Sequence, residues 1–241
     1  MSVQIQTFPS PEALSIAAAE RMINLANQFV QMQGRFTVSL SGGSTPERLF
    51  KLFAESPYRE RMPWQNTYFF WGDERHVPLD DPRNNAHQAI QLLFSKINIP
   101  AENIIRIQTD LSPAEAAQHY EQAIQDLFGD APPRFDLMLL GMGDNGHTAS
   151  LFPNTQVLHE ETRMVKEEYI AEVQMYRITM TAPLINLAHH IIFLVTGANK
   201  AEMLKTVLQG DYEPELYPAQ LIQPIDGELL WMVDEAAAAL L

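Results

Sequence analysis

Cysteine is absent from the 241-residue sequence. Its absence excludes disulfides, thiolate metal sites and a thiol nucleophile, and it fits the cytoplasmic location that we expect. Long apolar runs are also missing, since no uninterrupted stretch approaches the roughly 20 residues of a membrane-spanning helix. The N-terminal residues lack the basic and apolar regions of a signal peptide. The sequence therefore predicts a soluble, unexported protein that has no membrane partner.

Positive charge is scarce as well. Sixteen Lys and Arg stand against 30 Asp and Glu, which gives a formal net charge of -14. A field of this sign disfavours nucleic acid and anionic membrane surfaces as partners. If the ligand is a small anion, the few basic residues must be concentrated at its site, so individual arginines and lysines are informative.

Helical and strand-like segments alternate along the chain. Helical spacing runs from Pro11, after the N-cap Ser10, to Gly34, and a Ser-x-x-Glu capping box opens another helix at residues 112–127. Strands are expected at residues 35–40, 67–71, 135–140, 176–181, 191–196 and 229–233, and further helices at 46–54, 85–94, 199–208 and from 234 to the end. This order predicts an α/β fold, with a mainly parallel, twisted sheet flanked by helices, as a single domain over residues 1–241.

Four loops follow predicted strands directly; they start at Ser41, Gly72, Gly141 and Gly197. Parallel strands bring such loops to one edge of the sheet, where ligands bind. The first loop, SGGSTP at 41–46, offers hydroxyls and open N–H groups at a helix start, which suits a phosphate. It is neither a Walker A loop nor a dinucleotide fingerprint. A tight turn capped by Thr45 would also explain it without a ligand.

The second loop carries three charged residues, Asp73, Glu74 and Arg75. One interpretation is a solvated loop that contains an Asp–Arg pair. The other has Arg75 facing an anionic or polar ligand while Asp73 orients a hydroxyl or a water molecule. Composition alone favours the first interpretation, although the segment is expected at the edge of the sheet, where ligands bind, so both interpretations stay open at this point.

The third loop, GMGDNGH, places three glycines ahead of His147. Glycine permits positive φ and close backbone approach, so the loop can curl against a ligand while the imidazole stays at a fixed place. Histidine's usual pKa of about 6.5 suits proton transfer near neutrality. A structural His147 in a strand-end turn is the alternative. No histidine or glutamate spacing is typical of a metal site, and no nucleophile elbow is present, so we expect neither a catalytic metal nor an acyl-enzyme.

These loops and several later segments resemble the 6-phosphogluconolactonase family, relatives of the glucosamine-6-phosphate deaminase fold. The resemblance rests on SGGSTP at 41–46, GDERHVP at 72–78, residues 141–153, RITMT at 177–181, TGANKA at 196–201, PAQL at 218–221 and residues 231–236. It implies hydrolysis of a phosphorylated sugar lactone, 6-phospho-D-glucono-1,5-lactone, to 6-phosphogluconate in the oxidative pentose phosphate pathway. No metal or cofactor is implied.

The resemblance also implies roles. His147 is expected to be the general base that activates water, with Asp73 and Arg75 around the sugar ring. The phosphate grip is expected to comprise Gly42, Gly43, Ser44, Thr45, Arg177 and Lys200.

Asn145 departs from the family, which commonly has Asp two residues before the histidine. A carboxylate stands one place earlier, at Asp144. Asparagine can accept a hydrogen bond and hold the ring, but it does not stabilise imidazolium as an anion would. We therefore expect the pKa of His147 to lie below that in an Asp-bearing relative.

Two alternatives remain. In an aminosugar-phosphate deaminase/isomerase the resemblance implies a glutamate five residues after the histidine, whereas this chain has Phe152. A non-catalytic sugar-phosphate binding protein would keep the phosphate grip without the chemistry. The presence of His147 together with the phosphate residues disfavours that second alternative.

Overall fold

The computed structural model describes residues 4–241, and within this range the chain forms nine strands. They are β1 (Gln4–Phe8), β2 (Phe36–Leu40), β3 (Thr67–Trp71), β4 (Asp73–Arg75), β5 (Leu137–Leu140), β6 (Val165–Ile170), β7 (Met175–Met180), β8 (His190–Val195) and β9 (Glu228–Asp234). Six of them form a sheet in the order β1-β9-β8-β5-β2-β3, in which every neighbouring pair is parallel. The predicted α/β class is confirmed.

The same residues form seven α-helices. They are α1 (Pro11–Gln33), α2 (Ser44–Phe53), α3 (Tyr58–Arg61), α4 (Asn85–Leu92), α5 (Pro113–Phe128), α6 (Ala182–Ile185) and α7 (Ala201–Gln209). The long α1 begins where Ser10 Oγ accepts the Ala13 N–H and ends at Gly34, whose φ of 81° is in the left-handed region that favours glycine. The capping box predicted for α5 is present, between Ser112 and Glu115. No helix in the described range is long and apolar enough to cross a membrane.

The topology of the sheet creates a crevice at its centre. From β2 the chain moves outward to β3, whereas β5, β8 and β9 follow one another on the other side of β2. The direction of strand succession therefore reverses between β2 and β5. Loops that leave the carboxyl ends of strands at such a point separate, and ligands bind between them.

Both faces of the sheet are covered by apolar side chains. Along β3, Phe69 and Trp71 pack with α1, α2 and α4, while Phe70 packs on the opposite face with α5. The hydroxyl of Tyr120, on α5, accepts the Trp71 N–H at 2.7 Å and donates to the Trp71 carbonyl at 3.0 Å. These bonds fix the end of β3 at the point where the charged loop begins.

A second sheet departs from the sequence-based expectation. Strands β4, β7 and β6 pair antiparallel in that order, so the predicted strand at 176–181 exists as β7 but lies outside the parallel sheet. Residues 73–75 were expected in a loop and form β4. Strands β1 and β6 were not predicted. The first, QIQTF, lies largely exposed and shows no apolar face, and the second, VKEEYI, is rich in charge.

The helix expected from residue 234 to the C-terminus is wrong, because the segment forms successive turns. Asp234 Oδ1 accepts the N–H groups of Gly197 and Ala237, which ties the start of the segment to the loop after β8. The remaining alanine-rich residues are too few to propagate a stable helix beyond that turn.

Candidate active site

A cavity of about 540 Å³ opens at the carboxyl edge of the parallel sheet, above the crevice between β2 and β5. Seven of the residues predicted for the site line it: Gly42, Asp73, Arg75, Asn145, His147, Arg177 and Lys200. The wall also contains residues that the sequence did not single out for the site, among them Asn85, Ser150 and Glu172. The cavity thus joins loops of the parallel sheet to the antiparallel sheet.

Three residues of the predicted phosphate grip, Gly43, Ser44 and Thr45, do not line the cavity. Ser44 is exposed and is the first residue of α2. Thr45 is buried, and its hydroxyl forms a 2.9 Å hydrogen bond with the hydroxyl of Thr196. In this structure neither hydroxyl lines the cavity, whereas Gly42 reaches it next to the N-terminus of α2.

The glycines before His147 make room for its ring. A Cβ atom at Gly143 would lie 2.1 Å from the imidazole, so a side chain there would displace it. Gly146 has a φ of 79°, which lets the chain reverse just before the histidine. The Gly143 N–H donates to the His147 carbonyl at 2.8 Å and closes the loop. The loop is thus built around one imidazole.

The hydrogen bonds of His147 define its tautomer. Its Nδ1 lies 2.6 Å from Asn145 Oδ1, and Asn145 Nδ2 donates to Glu172 Oε2 at 3.0 Å. An amide oxygen only accepts, so Nδ1 carries the proton and Nε2 keeps a free lone pair. This is the tautomer that a general base acting through Nε2 requires.

Burial lowers the pKa of His147 to about 4. The negative charge of Asp73 opposes this shift, whereas the positive charges of Arg177 and Lys200 add to it. The Phe152 ring stacks on the imidazole, with centroids 4.0 Å apart and planes 12° apart, and contributes to the desolvation. The imidazole is neutral near pH 7 and can take up a proton.

Asp73 lies beside the histidine as a buried carboxylate. The Ser150 hydroxyl donates to Asp73 Oδ2 at 2.6 Å, and Asn85 Nδ2 donates to the Asp73 carbonyl at 3.0 Å. Asp73 is 7% exposed. A carboxylate held in this way supplies a fixed negative charge next to an imidazole that gains positive charge.

Two cationic side chains lie on the side of the cavity that β4 and β7 form. Arg75 and Arg177 are direct cross-strand partners, a placement in which like charges repel. Arg177 is half-buried, burial lowers its pKa, and its Nε has no hydrogen-bond partner within residues 4–241. Two neighbouring arginines that line one cavity, in a chain of net charge -14, provide an arrangement that suits an anion.

Lys200 completes the cationic set from the loop after β8. Its ammonium group bonds to Asp144 at 2.5 Å, and this contact lowers the pKa of Asp144. Asp144 is exposed, so an incoming anion competes with a solvent-screened partner for the lysine. Among the described residues, no three potential metal-ligating side chains converge.

Known proteins resemble this chain over nearly its whole length. The family model for glucosamine-6-phosphate isomerases/6-phosphogluconolactonase matches residues 9–231. A protein named 6-phosphogluconolactonase from Nostoc sp. is 40% identical, covering 99% of this chain and 98% of that protein. Another of that name, from Haemophilus influenzae, is 40% identical, with coverages of 95% and 99%. The crystal structure of the devB protein has a TM-score of 0.91 at 38% identity and covers 99% of both chains.

Proposed function

The chain belongs to the glucosamine-6-phosphate isomerase/6-phosphogluconolactonase family, and from this premise we propose that it hydrolyses 6-phospho-D-glucono-1,5-lactone to 6-phosphogluconate. The observation that carries the proposal is a single cavity in which a neutral imidazole with a free Nε2 stands near two facing arginines. The product belongs to the pentose phosphate pathway. We further propose that residues 1–241 act as one domain, since both apolar cores share one sheet.

Phosphate binding supplies the positioning energy. We assign the phosphate to Arg177 and Lys200, with Gly42 and the N-terminus of α2 beside it, where charge-assisted hydrogen bonds favour an anion. Binding energy from this remote group holds the lactone carbonyl against His147. The site then needs only a base and an oriented water for an ester that is already reactive.

The chemical step uses His147 Nε2 as the base. Nε2 takes a proton from water as the water oxygen bonds to C1, and the carbonyl electrons move onto oxygen. Arg75 or loop N–H groups stabilise this oxyanion. When the intermediate collapses, the bond between C1 and the ring oxygen breaks, and the imidazolium returns the proton to the departing oxygen. Asp73 stabilises the transient imidazolium.

The deaminase alternative lacks its acid–base partner. Phe152 occupies the position that a glutamate would need and stacks on the imidazole instead. An aromatic ring neither donates nor accepts the proton that ring opening requires. We expect no release of ammonia from glucosamine 6-phosphate.

A continuous assay tests the proposal. Freshly generated phosphogluconolactone is followed with and without the protein, and the spontaneous rate is subtracted. We expect consumption of the lactone to exceed the spontaneous rate in proportion to protein concentration. A rate equal to the background would favour the non-catalytic binding protein, and ammonia release would favour the deaminase.

The pH profile depends on the pKa of His147. A base must be unprotonated, so activity falls as pH drops through its pKa, which burial lowers to about 4. Asn145→Asp adds an anion next to Nδ1, stabilises imidazolium, and moves the acidic limb of kcat/KM to higher pH by about one unit. Titration of the substrate phosphate is common to both enzymes and cancels in the comparison. An unmoved limb would contradict the assigned contact between Asn145 and the base.

Gly143→Ala tests the placement of the ring. The new Cβ would lie 2.1 Å from the imidazole and must push it aside, so we expect kcat to fall about 10²-fold. The thermal midpoint is measured alongside, so that a loss of kcat caused by wider disruption of the loop is recognised. Gly141→Ala is the matched control, since its Cβ would meet Ser41 Oγ at 3.7 Å, an ordinary contact. Equal losses in both variants would show that the loop merely requires glycine.

A further inference from the structure

We propose that Glu172 is a positioning residue, whose carboxylate holds the Asn145 amide with its oxygen toward His147. The inference deepens the proposed function and rests on it. The observation is a chain of two hydrogen bonds, from His147 Nδ1 to Asn145 Oδ1 at 2.6 Å and from Asn145 Nδ2 to Glu172 Oε2 at 3.0 Å. Neither the resemblance to the family nor the sequence pattern assigns Glu172 a role.

An asparagine next to a catalytic imidazole must keep one orientation of its amide, whereas an aspartate has no such requirement. Its two ends differ, because Oδ1 accepts a hydrogen bond and Nδ2 donates. If the amide turned around, Nδ2 would face Nδ1, which would then have to accept. The proton would move to Nε2, and the lone pair that the reaction needs would be lost. Both oxygens of an aspartate accept, so its rotation is harmless.

Glu172 prevents that rotation because a carboxylate only accepts. It bonds to Nδ2, and a rotated amide would present Oδ1 to it instead, oxygen against oxygen. The backbone N–H of His147 favours the same orientation, but its bond to Asn145 Oδ1 is longer, at 3.2 Å. Glu172 Oε2 is thus the acceptor that the Nδ2 end of the amide needs in this orientation.

Glu172 reaches Asn145 from the antiparallel sheet. Glu172 lies in the turn Ala171–Val173 between β6 and β7, which Gln174 ends with a φ of 47°. The following strand holds Arg177, so one hairpin supplies both an arginine of the cationic side and the restraint on the base. Because Glu172 is exposed, solvent screens its charge, and its effect on His147 is geometric rather than electrostatic.

Variants at position 172 test whether Glu172 acts as a hydrogen-bond acceptor or only supports the fold. For Glu172→Ala we expect kcat to fall about 10-fold with KM nearly unchanged, since the substrate grip is untouched. Glu172→Gln retains most of the activity, because its amide oxygen can still accept from Asn145 Nδ2. Glu161→Ala is the control, as it removes another exposed glutamate from the chain, and wild-type kinetics are expected.

The decisive comparison repeats Glu172→Ala in the Asn145→Asp background. There the amide orientation no longer matters, and Glu172 faces a second carboxylate. We expect no loss of kcat, or a gain as the repulsion between the two carboxylates is removed. An equal loss in both backgrounds would overturn the inference and assign Glu172 a structural role.

Nitrogen-15 NMR of the imidazole provides a readout that does not need turnover. His147→Ala identifies the signals of His147 in a histidine-labelled sample. We expect the proton on Nδ1 in the wild type and a mixture of tautomers in Glu172→Ala. An unchanged tautomer in Glu172→Ala would overturn the inference even if the protein proved inactive toward the lactone, whereas inactivity with the expected tautomer shift would overturn only the proposed function.

Discussion

His147→Ala lowers kcat for lactone hydrolysis by about 10²–10⁴-fold, the range that general-base catalysis contributes. In the proposed mechanism the imidazole acts on water and the phosphate is assigned to Arg177 and Lys200, so we expect the loss to be confined to kcat. Binding of 6-phosphogluconate, followed by calorimetry, is therefore expected to persist. The buried, neutral ring gives no charge to the free protein, so its removal leaves the electrostatics of the phosphate site nearly unchanged.

The control for this variant is His119→Ala, which removes an exposed histidine from α5. Rates are measured against spontaneous hydrolysis, because a small residual activity would otherwise be hidden. Full activity of His147→Ala would exclude His147 as the base. Loss of product binding together with kcat would show that the substitution disrupts the cavity rather than the chemical step.

Arg177→Met lowers kcat/KM by about 10- to 150-fold, which corresponds to the loss of hydrogen bonds to a charged group. We expect most of the effect in KM, since the phosphate binds in the ground state as well as in the transition state. The thioether replaces much of the volume of the side chain without its charge. Initial rates over a range of lactone concentrations separate the two parameters.

The stability of the same variant provides a second signature. Burial lowers the pKa of Arg177, and it outweighs the attraction of Asp73 while Arg75 on the neighbouring strand adds to it, so removal of the charge relieves desolvation and like-charge repulsion in the unliganded protein. We expect Arg177→Met to have a thermal midpoint no lower than that of the wild type. Inorganic phosphate should raise the midpoint of the wild type more than that of the variant.

Arg59→Met is the matched control, because Arg59 is an exposed arginine paired with Glu60. It should leave kcat/KM and the response to phosphate unchanged. An Arg177→Met enzyme with wild-type KM and a wild-type response to phosphate would contradict the assignment of the phosphate to Arg177. A marked loss of stability without phosphate would show that the guanidinium is structural.

The sequence predicted the part of the site that follows from parallel strands. Segments 41–46, 72–78 and 141–147 come directly after β2, β3 and β5, and strand topology alone brings the starts of such segments to one edge. Glycines ahead of His147 indicated a close approach, and Gly143 provides it. These features are local in the chain, so their pattern can be recognised without coordinates.

The contribution of the second sheet could not be predicted in the same way. Strand β6 is rich in charged residues and lacks an apolar strand pattern, and the sheet that it forms with β7 is completed by β4, which lies far earlier in the chain. Glu172 at the hairpin tip was therefore missed. The direction in which side chains point could not be predicted either. The SGGSTP motif suggests Thr45 for the phosphate site, whereas in the structure the Thr45 hydroxyl bonds to Thr196.

A crystal structure with bound 6-phosphogluconate tests most directly whether the cavity holds the phosphate and delivers C1 to His147. We predict the phosphate within hydrogen-bond distance of Arg177 and Lys200, and the product carboxylate within reach of His147 Nε2. A phosphate bound away from these cations, or a carboxylate remote from Nε2, would contradict this description of the site.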